Sequence, residues 1–263
     1  MKLHRTALLL AAIALPAAAH TPFLAPTHFD AREGATVSLD AAFAEAFFVP
    51  EVVFDNSDFV VTDPAGVTRA AETVQRLRTR AVVEHRLDAG KGTYRFSTGA
   101  RLGALFRTWE QGGKRESTRD PAVKIPAGAK VISDFQSLTL AETYITAGAP
   151  DRAALAARGK GLEFVALTHP SDLYVGEHFD FVVQYDGAPL PRQKVEVTEA
   201  VWTSDRTAEV TTLESDAEGR IRLPLARAGT FLALARHRSP APAGAPVPEY
   251  SNSYTLTFHV LTP

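Results

Sequence analysis

The strongest metal donors in this sequence are imidazoles. The chain has 8 His and 0 Cys, which excludes thiolate catalysis, iron–sulfur clusters and Cys-ligated zinc. His20 follows Ala17-Ala18-Ala19, small residues of the kind a signal peptidase accepts. Cleavage after Ala19 makes His20 the mature N-terminus. A free α-amine and an imidazole Nδ1 on one residue can chelate a metal together, and imidazole suits Cu, Ni and Zn. His28 lies beyond a segment bounded by Pro22 and Pro26. It offers a further nitrogen for Cu(II) or Ni(II) in tetragonal geometry, with Glu45 or another His completing the shell. The alternative is a frayed terminus carrying two solvated rings.

Two more histidines are candidate ligands. His169 sits in Thr168-His169-Pro170 at the end of a strand, where it is either a ligand or a tie for the turn. His237 ends another strand on the side of Phe231, Ala233 and Ala235. Arg236 and Arg238 flank it and repel a cation. The expected set is therefore His20, His28, His169 and His237. His259 reads as exposed, and His85 carries no assignment.

Other chemistries find little support. The motifs G-x-S-x-G, H-E-x-x-H and G-x-x-x-x-G-K-[ST] are absent, so no enzyme and no organic cofactor is expected. Oxidative N-terminal-His copper chemistry on a polysaccharide needs a flat aromatic surface, for which the sequence offers Phe23, Phe29 and Trp109. A formal net charge of −2 argues against nucleic acid. Lys2 and Arg5 precede a short apolar run, Ala7 to Leu15, so residues 1–19 read as a signal peptide. That run is shorter than the ~20 residues of a membrane span. The expectation is an exported, periplasmic, soluble mature chain with no membrane span.

Strands must position these groups. Phe179, Phe181 and Val183 alternate with Asp180 and Val182, and the same period of two recurs at 37–43, 195–198, 221–225 and 254–261. Asp186-Gly187 and Asp216-Ala217-Glu218-Gly219 are turn signals. Candidate strands fall near 162–168, 178–186, 193–201, 208–214, 219–225, 230–237 and 252–261, the count of an immunoglobulin-like sandwich. Residues 20–147 read as a less regular second sandwich with an excursion at 101–126, tipped by Gly112-Gly113. Asp151–Arg158 reads as a helix between Gly-rich breakers, and Thr68–Arg80 has a weaker helical pattern. Arg69, Arg76, Arg78 and Arg80 are a basic patch or a solvated edge. The expected fold is all-β: a domain at 20–147, a helical linker at 148–161 and an Ig-like or transthyretin-like domain at 162–263.

The stretches AFFVPEVVFDNSDFVVTDPAGV, LAETYITAGAP, GKGLEFVALTHPSDLYVGEHFDFVVQYDGAPL and EYSNSYTLTFHV, with the start His20-Thr21-Pro22-Phe23-Leu24-Ala25-Pro26, carry a resemblance. Together they resemble the bacterial periplasmic proteins of unknown function grouped with the nickel-uptake component NikM. The resemblance implies binding or handing over of a transition metal (Ni, Cu, Zn or Fe) in uptake or homeostasis. It also implies work beside a TonB-dependent outer-membrane receptor or a metal transporter, for which the chain would alternatively be an adaptor using loops 109–120 and 239–249.

Overall fold

The computed structural model describes residues 20–201 and 208–263. The expected signal peptide, 1–19, lies outside them. The first half contains β1 (Thr21–Pro26), β2 (Asp30–Ala31), β3 (Thr36–Ala44), β4 (Val52–Val53), β5 (Val60–Thr62), β6 (Thr68–Ala70), β7 (Thr73–Arg76), β8 (Ala81–Arg86), β9 (Gly92–Ser97), β10 (Arg101–Gln111), β11 (Lys114–Thr118) and β12 (Lys130–Ala147). The second half contains β13 (Leu162–Ala166), β14 (His178–Tyr185), β15 (Ala188–Pro189), β16 (Lys194–Glu199), β17 (Val210–Glu214), β18 (Arg220–Pro224), β19 (Gly229–Pro240) and β20 (Glu249–Val260). The second-half strands fall where the period-two pattern puts them.

The turns obey their residue types. Asp186 and Gly187 both have positive φ and join β14 to β15, the backbone of a two-residue hairpin. Gly112 and Gly113 do the same between β10 and β11, so the excursion is a hairpin. Asp216 Oδ1 accepts the N–H groups of Glu218 and Arg220, the self-bonding that makes Asp a turn residue.

Two small sheets flank a large central one. The small N-terminal sheet runs β1-β3-β8-β7, with β4 on β3. The small C-terminal sheet holds β13, β14, β15 and β18. Between them lies a sheet ordered β17-β16-β19-β20-β12-β9-β5-β6, to which β10, β11 and β2 attach. β12 pairs in parallel with β20 over Phe135–Thr143 and antiparallel with β9 over Tyr144–Ala147. One strand thus carries the sheet from one half of the chain into the other, and the expected division at 148–161 does not separate the sheets.

β19 shows how both faces of the central sheet are used. Leu232 and Leu234 point to a core with Phe23, Ala42, Ala44, Phe47, Phe48 and Ala200. Ala233 and Ala235 point the other way, to a core with Phe179, Phe181, Tyr254 and Phe258. A third core, including Leu39, Phe54, Tyr94 and Ile145, fills the N-terminal sandwich.

Both helical expectations are corrected. Thr68–Arg80 forms β6 in the central sheet and β7 in the N-terminal sheet, so it crosses between sheets. Asp151–Arg158 contains a single 3-10 turn, Ala153–Leu155. Eight residues are too few for an isolated helix, whose nucleus is costly, and the segment's polar ends are drawn into tertiary contacts instead. Three arginines of the basic run find separate partners: Arg69 pairs with Asp63, Arg76 with the Ser57 carbonyl and Arg80 with Asp40.

Candidate functional site

β1 is a buried strand, so the residues after the expected cleavage point are fixed. It pairs with β3 from Thr21↔Ala44 to Pro26↔Leu39. Thr21, Phe23 and Leu24 are buried, Phe23 completely. Arg236 Nη2 donates to Thr21 Oγ1 at 3.1 Å, and Thr255 Oγ1 donates to the Pro22 carbonyl at 3.0 Å. The residues that follow the expected cleavage point are therefore anchored rather than frayed, with His20 at the lip.

The His20 ring is held by Glu51. His20 Nε2 lies 2.9 Å from Glu51 Oε2. The other carboxylate oxygen, Oε1, accepts the Glu45 backbone N–H at 2.9 Å. A carboxylate only accepts, so in the neutral form of the ring the proton sits on Nε2. Nδ1 then holds the lone pair. That nitrogen is the one able to chelate together with an α-amine at the same residue. A carboxylate on one imidazole nitrogen is the usual support of a metal-binding His, in which the acid fixes tautomer and orientation. The donor set fits a divalent transition ion.

The other expected ligands lie elsewhere. His28 stands beyond the far end of β1, exposed, with Nδ1 3.0 Å from Thr27 Oγ1. At roughly 3.3 Å per extended residue, β1 keeps it far too distant from His20 to share one ion. His169 Nδ1 accepts the Ser171 N–H at 3.1 Å, so Nε2 donates, to the Asp151 carbonyl at 2.7 Å. Both nitrogens are occupied, and His169 is a tie between 151 and the 168–172 turn. His237 packs its ring on Tyr185 at 4.8 Å, on the face of β19 opposite Arg236. Among the described residues no three His, Asp or Glu side chains converge closely enough to hold an ion alone. The structure does not gather the four expected histidines into one site among the described residues; His20 has Glu51 beside its ring.

Glu51 was not legible as a partner. It reaches His20 only because the chain returns after Pro50 to place Glu51 N–H on the Phe43 carbonyl. The sequence instead suggested Glu45, which contributes a backbone N–H. Nor do the named aromatics form a flat surface: Phe23 and Trp109 are buried, and Phe29 stacks on His259 at 5.5 Å. That stacking also covers His259, expected to be exposed.

Burial lowers the pKa of His85, His169, His237 and His259 below the usual 6.5. Their neutral forms are favoured by folding, so their contribution is complete above pH 6.5. It is lost as pH falls from there through the lowered native values. The urea midpoint is expected to drop between pH 7.5 and 5, and a flat profile would contradict this burial. His169→Gln, which removes one titrating ring, is expected to reduce the slope.

No curated protein matches the chain. Among solved structures, the D0-D1 domain of Intimin is 12% identical over 89% of this chain and 96% of that one, with a TM-score of 0.22. The Yersinia pseudotuberculosis adhesin InvE is 13% identical over 90% of this chain and 58% of that one, with a TM-score of 0.21. A marsupial T cell receptor is 9% identical over 93% and 72%, also at 0.21. The profile of a domain of unknown function, DUF4198, matches residues 17–239, and the chain belongs to that family.

Proposed function

We propose that this is a soluble periplasmic protein that binds a transition metal at its mature N-terminus and hands it over in metal uptake or homeostasis. Cleavage after Ala19 frees the His20 amine, and amine and Nδ1 form the primary chelate for Cu(II), Ni(II) or Zn(II). The observation that carries this reading is the 2.9 Å contact of His20 Nε2 with Glu51, on a strand buried immediately afterwards. An orienting carboxylate and a rigid support are what preorganise a metal ligand. The resemblance to proteins grouped with NikM points the same way.

Glu51→Gln tests the orienting role. The amide can offer its own N–H₂ to the ring and no longer fixes the tautomer. Titration of the mature chain with Cu(II), Ni(II) and Zn(II) is expected to show about 10–100-fold weaker binding in the variant, the usual effect of outer-shell substitution. Equal affinities would remove Glu51 from the site.

A second reading, a non-enzymatic adaptor for a TonB-dependent receptor or transporter, draws on one observation. Buried Arg107 donates to the Val123 carbonyl at 2.7 Å and to the Pro246 carbonyl at 2.8 Å, which fixes the Pro-rich loop beside the β10–β11 hairpin. On the hairpin's other face Phe106 and Phe135 stack at 5.0 Å, with Arg119 over one ring and Arg238 over the other. A pull-down with each receptor candidate separates the readings: metal-independent capture, lost in Phe106→Ala with Phe135→Ala, supports the adaptor.

A further inference from the structure

β17 closes one end of the central sheet and pairs with β16 alone. The Glu209 carbonyl and the Ser215 N–H face β16, bonded to the Glu199 N–H and the Gln193 carbonyl. Backbone groups alternate sides along an antiparallel strand, so Thr211 and Leu213 also face β16. The N–H and C=O groups of Val210, Thr212 and Glu214 point outward, and none has a backbone partner among the described residues.

A bare edge is a template for another strand, and proteins normally blunt it with prolines, cations or short length. Other edge strands of this chain are blunted. β1 holds two prolines and β15 one. β11 carries Lys114 and Arg115, and β18 carries Arg220 and Arg222. In β13 the Leu162 carbonyl accepts from Arg158 Nη2 at 2.9 Å and the Ala166 carbonyl from Arg152 Nη2 at 2.8 Å. β17 reads Val-Thr-Thr-Leu-Glu, with no proline and no cation. Val210 is 57% exposed, more than any other large apolar side chain among the described residues.

The edge also complements itself. A two-fold axis through Thr212 sets that residue against its own copy and Val210 against Glu214 of the second copy. Every outward N–H then meets an outward carbonyl, because the facing residues are the three whose backbone groups point away from β16. Facing threonines are a favourable cross-strand pair, whereas like charges directly opposite are not. Glu214 faces no acid across the axis, and its neighbour on β16 is Lys194.

We propose that β17 is a self-association edge, on which a second copy of this chain pairs antiparallel about Thr212 and continues the central sheet. The contact is isologous, so it closes at two copies rather than growing into a fibre. Five residues a side make a small interface, and the dimer is expected to depend on concentration. The edge stands or falls independently of the His20 reading.

Sedimentation of the chain beginning at His20, in metal-free buffer, is expected to show a monomer–dimer equilibrium. Thr212→Pro removes an outward donor, which an edge position tolerates in the monomer. Thr212→Lys sets two cations against each other across the axis. Each substitution should weaken the dimer at least about tenfold, since two symmetric hydrogen bonds are lost or strained. Hydrogen exchange reads the register. In the dimer the Val210 and Glu214 amides should exchange slowly, and in Thr212→Lys quickly, while those of Thr211 and Leu213 stay protected in both. Three results would each overturn the proposal. One is a monomer at every concentration up to about 1 mM, the weak end of specific association. Another is a dimer indifferent to both substitutions. The last is Val210 and Glu214 amides that remain slow in monomeric Thr212→Lys, which would mean that the chain covers this edge itself.

Discussion

Glu142→Ala is expected to cost about 3–5 kcal/mol, the range for removing one partner of a buried ion pair. Glu142 is 1% exposed and sits on β12. Tyr254 donates its hydroxyl to Oε2 at 2.7 Å. Arg158 Nε lies 3.4 Å and Arg95 Nε 4.0 Å from Oε1. Arg158 also approaches Glu163, whose carboxylate accepts the N–H groups of Arg158 and Gly159 at 2.8 Å each. This network ties β9, β12, β13, β20 and the 148–161 segment at one point. Removing Glu142 leaves two guanidiniums with one remaining buried acid and orphans the Tyr254 hydroxyl. Burial, followed by the nearby Glu142 charge, raises the pKa of both Tyr144 and Tyr254, so neither supplies a replacement anion. Urea unfolding measures the loss. A change below about 1 kcal/mol, the scale of an exposed pair, would show that the cluster is not the junction described.

Phe23→Ala is expected to cost about 3–5 kcal/mol, as for other buried Phe truncations, and to weaken metal binding as well. The Phe23 ring meets Phe48 edge-on at 5.2 Å and fills the core behind Leu232 and Leu234. It is the aromatic anchor of β1 closest in sequence to His20, and Thr21 depends on the same strand for its contact with Arg236. Loss of the ring loosens the first residues of β1, so the chelate must be ordered at binding. Affinity for Cu(II) should fall with stability. Stability lost with affinity unchanged would mean that the buried strand does not preorganise the terminus.

The sequence made some of this legible, and the reason is residue-specific. β14 alternates because one face is packed and the other is not: Phe179, Phe181 and Val183 are fully buried between partly exposed neighbours. In β12 every residue from Thr139 to Ala147 is buried. Both its faces are covered, so it reads as a run without period. Its parallel pairing with β20 joins residues more than a hundred positions apart, and periodicity assigns faces rather than partners. β6 and β7 are short, polar and exposed, and without a buried face they give no strand signal. The candidate site divides in the same way. His20 was legible from Ala17-Ala18-Ala19 ahead of it, whereas Glu51 is brought to it by the return of the chain after Pro50.

The most direct measurement is calorimetric titration of Cu(II) into two forms of the protein, one beginning at His20 and one with a single alanine placed before it. The extension leaves the ring, Glu51 and the buried strand in place and removes only the α-amine from the His20 chelate. The account predicts strong binding with one-to-one stoichiometry in the first form and at least about a tenfold loss, 1.4 kcal/mol, in the second. Equal affinities in the two forms would contradict an N-terminal metal site.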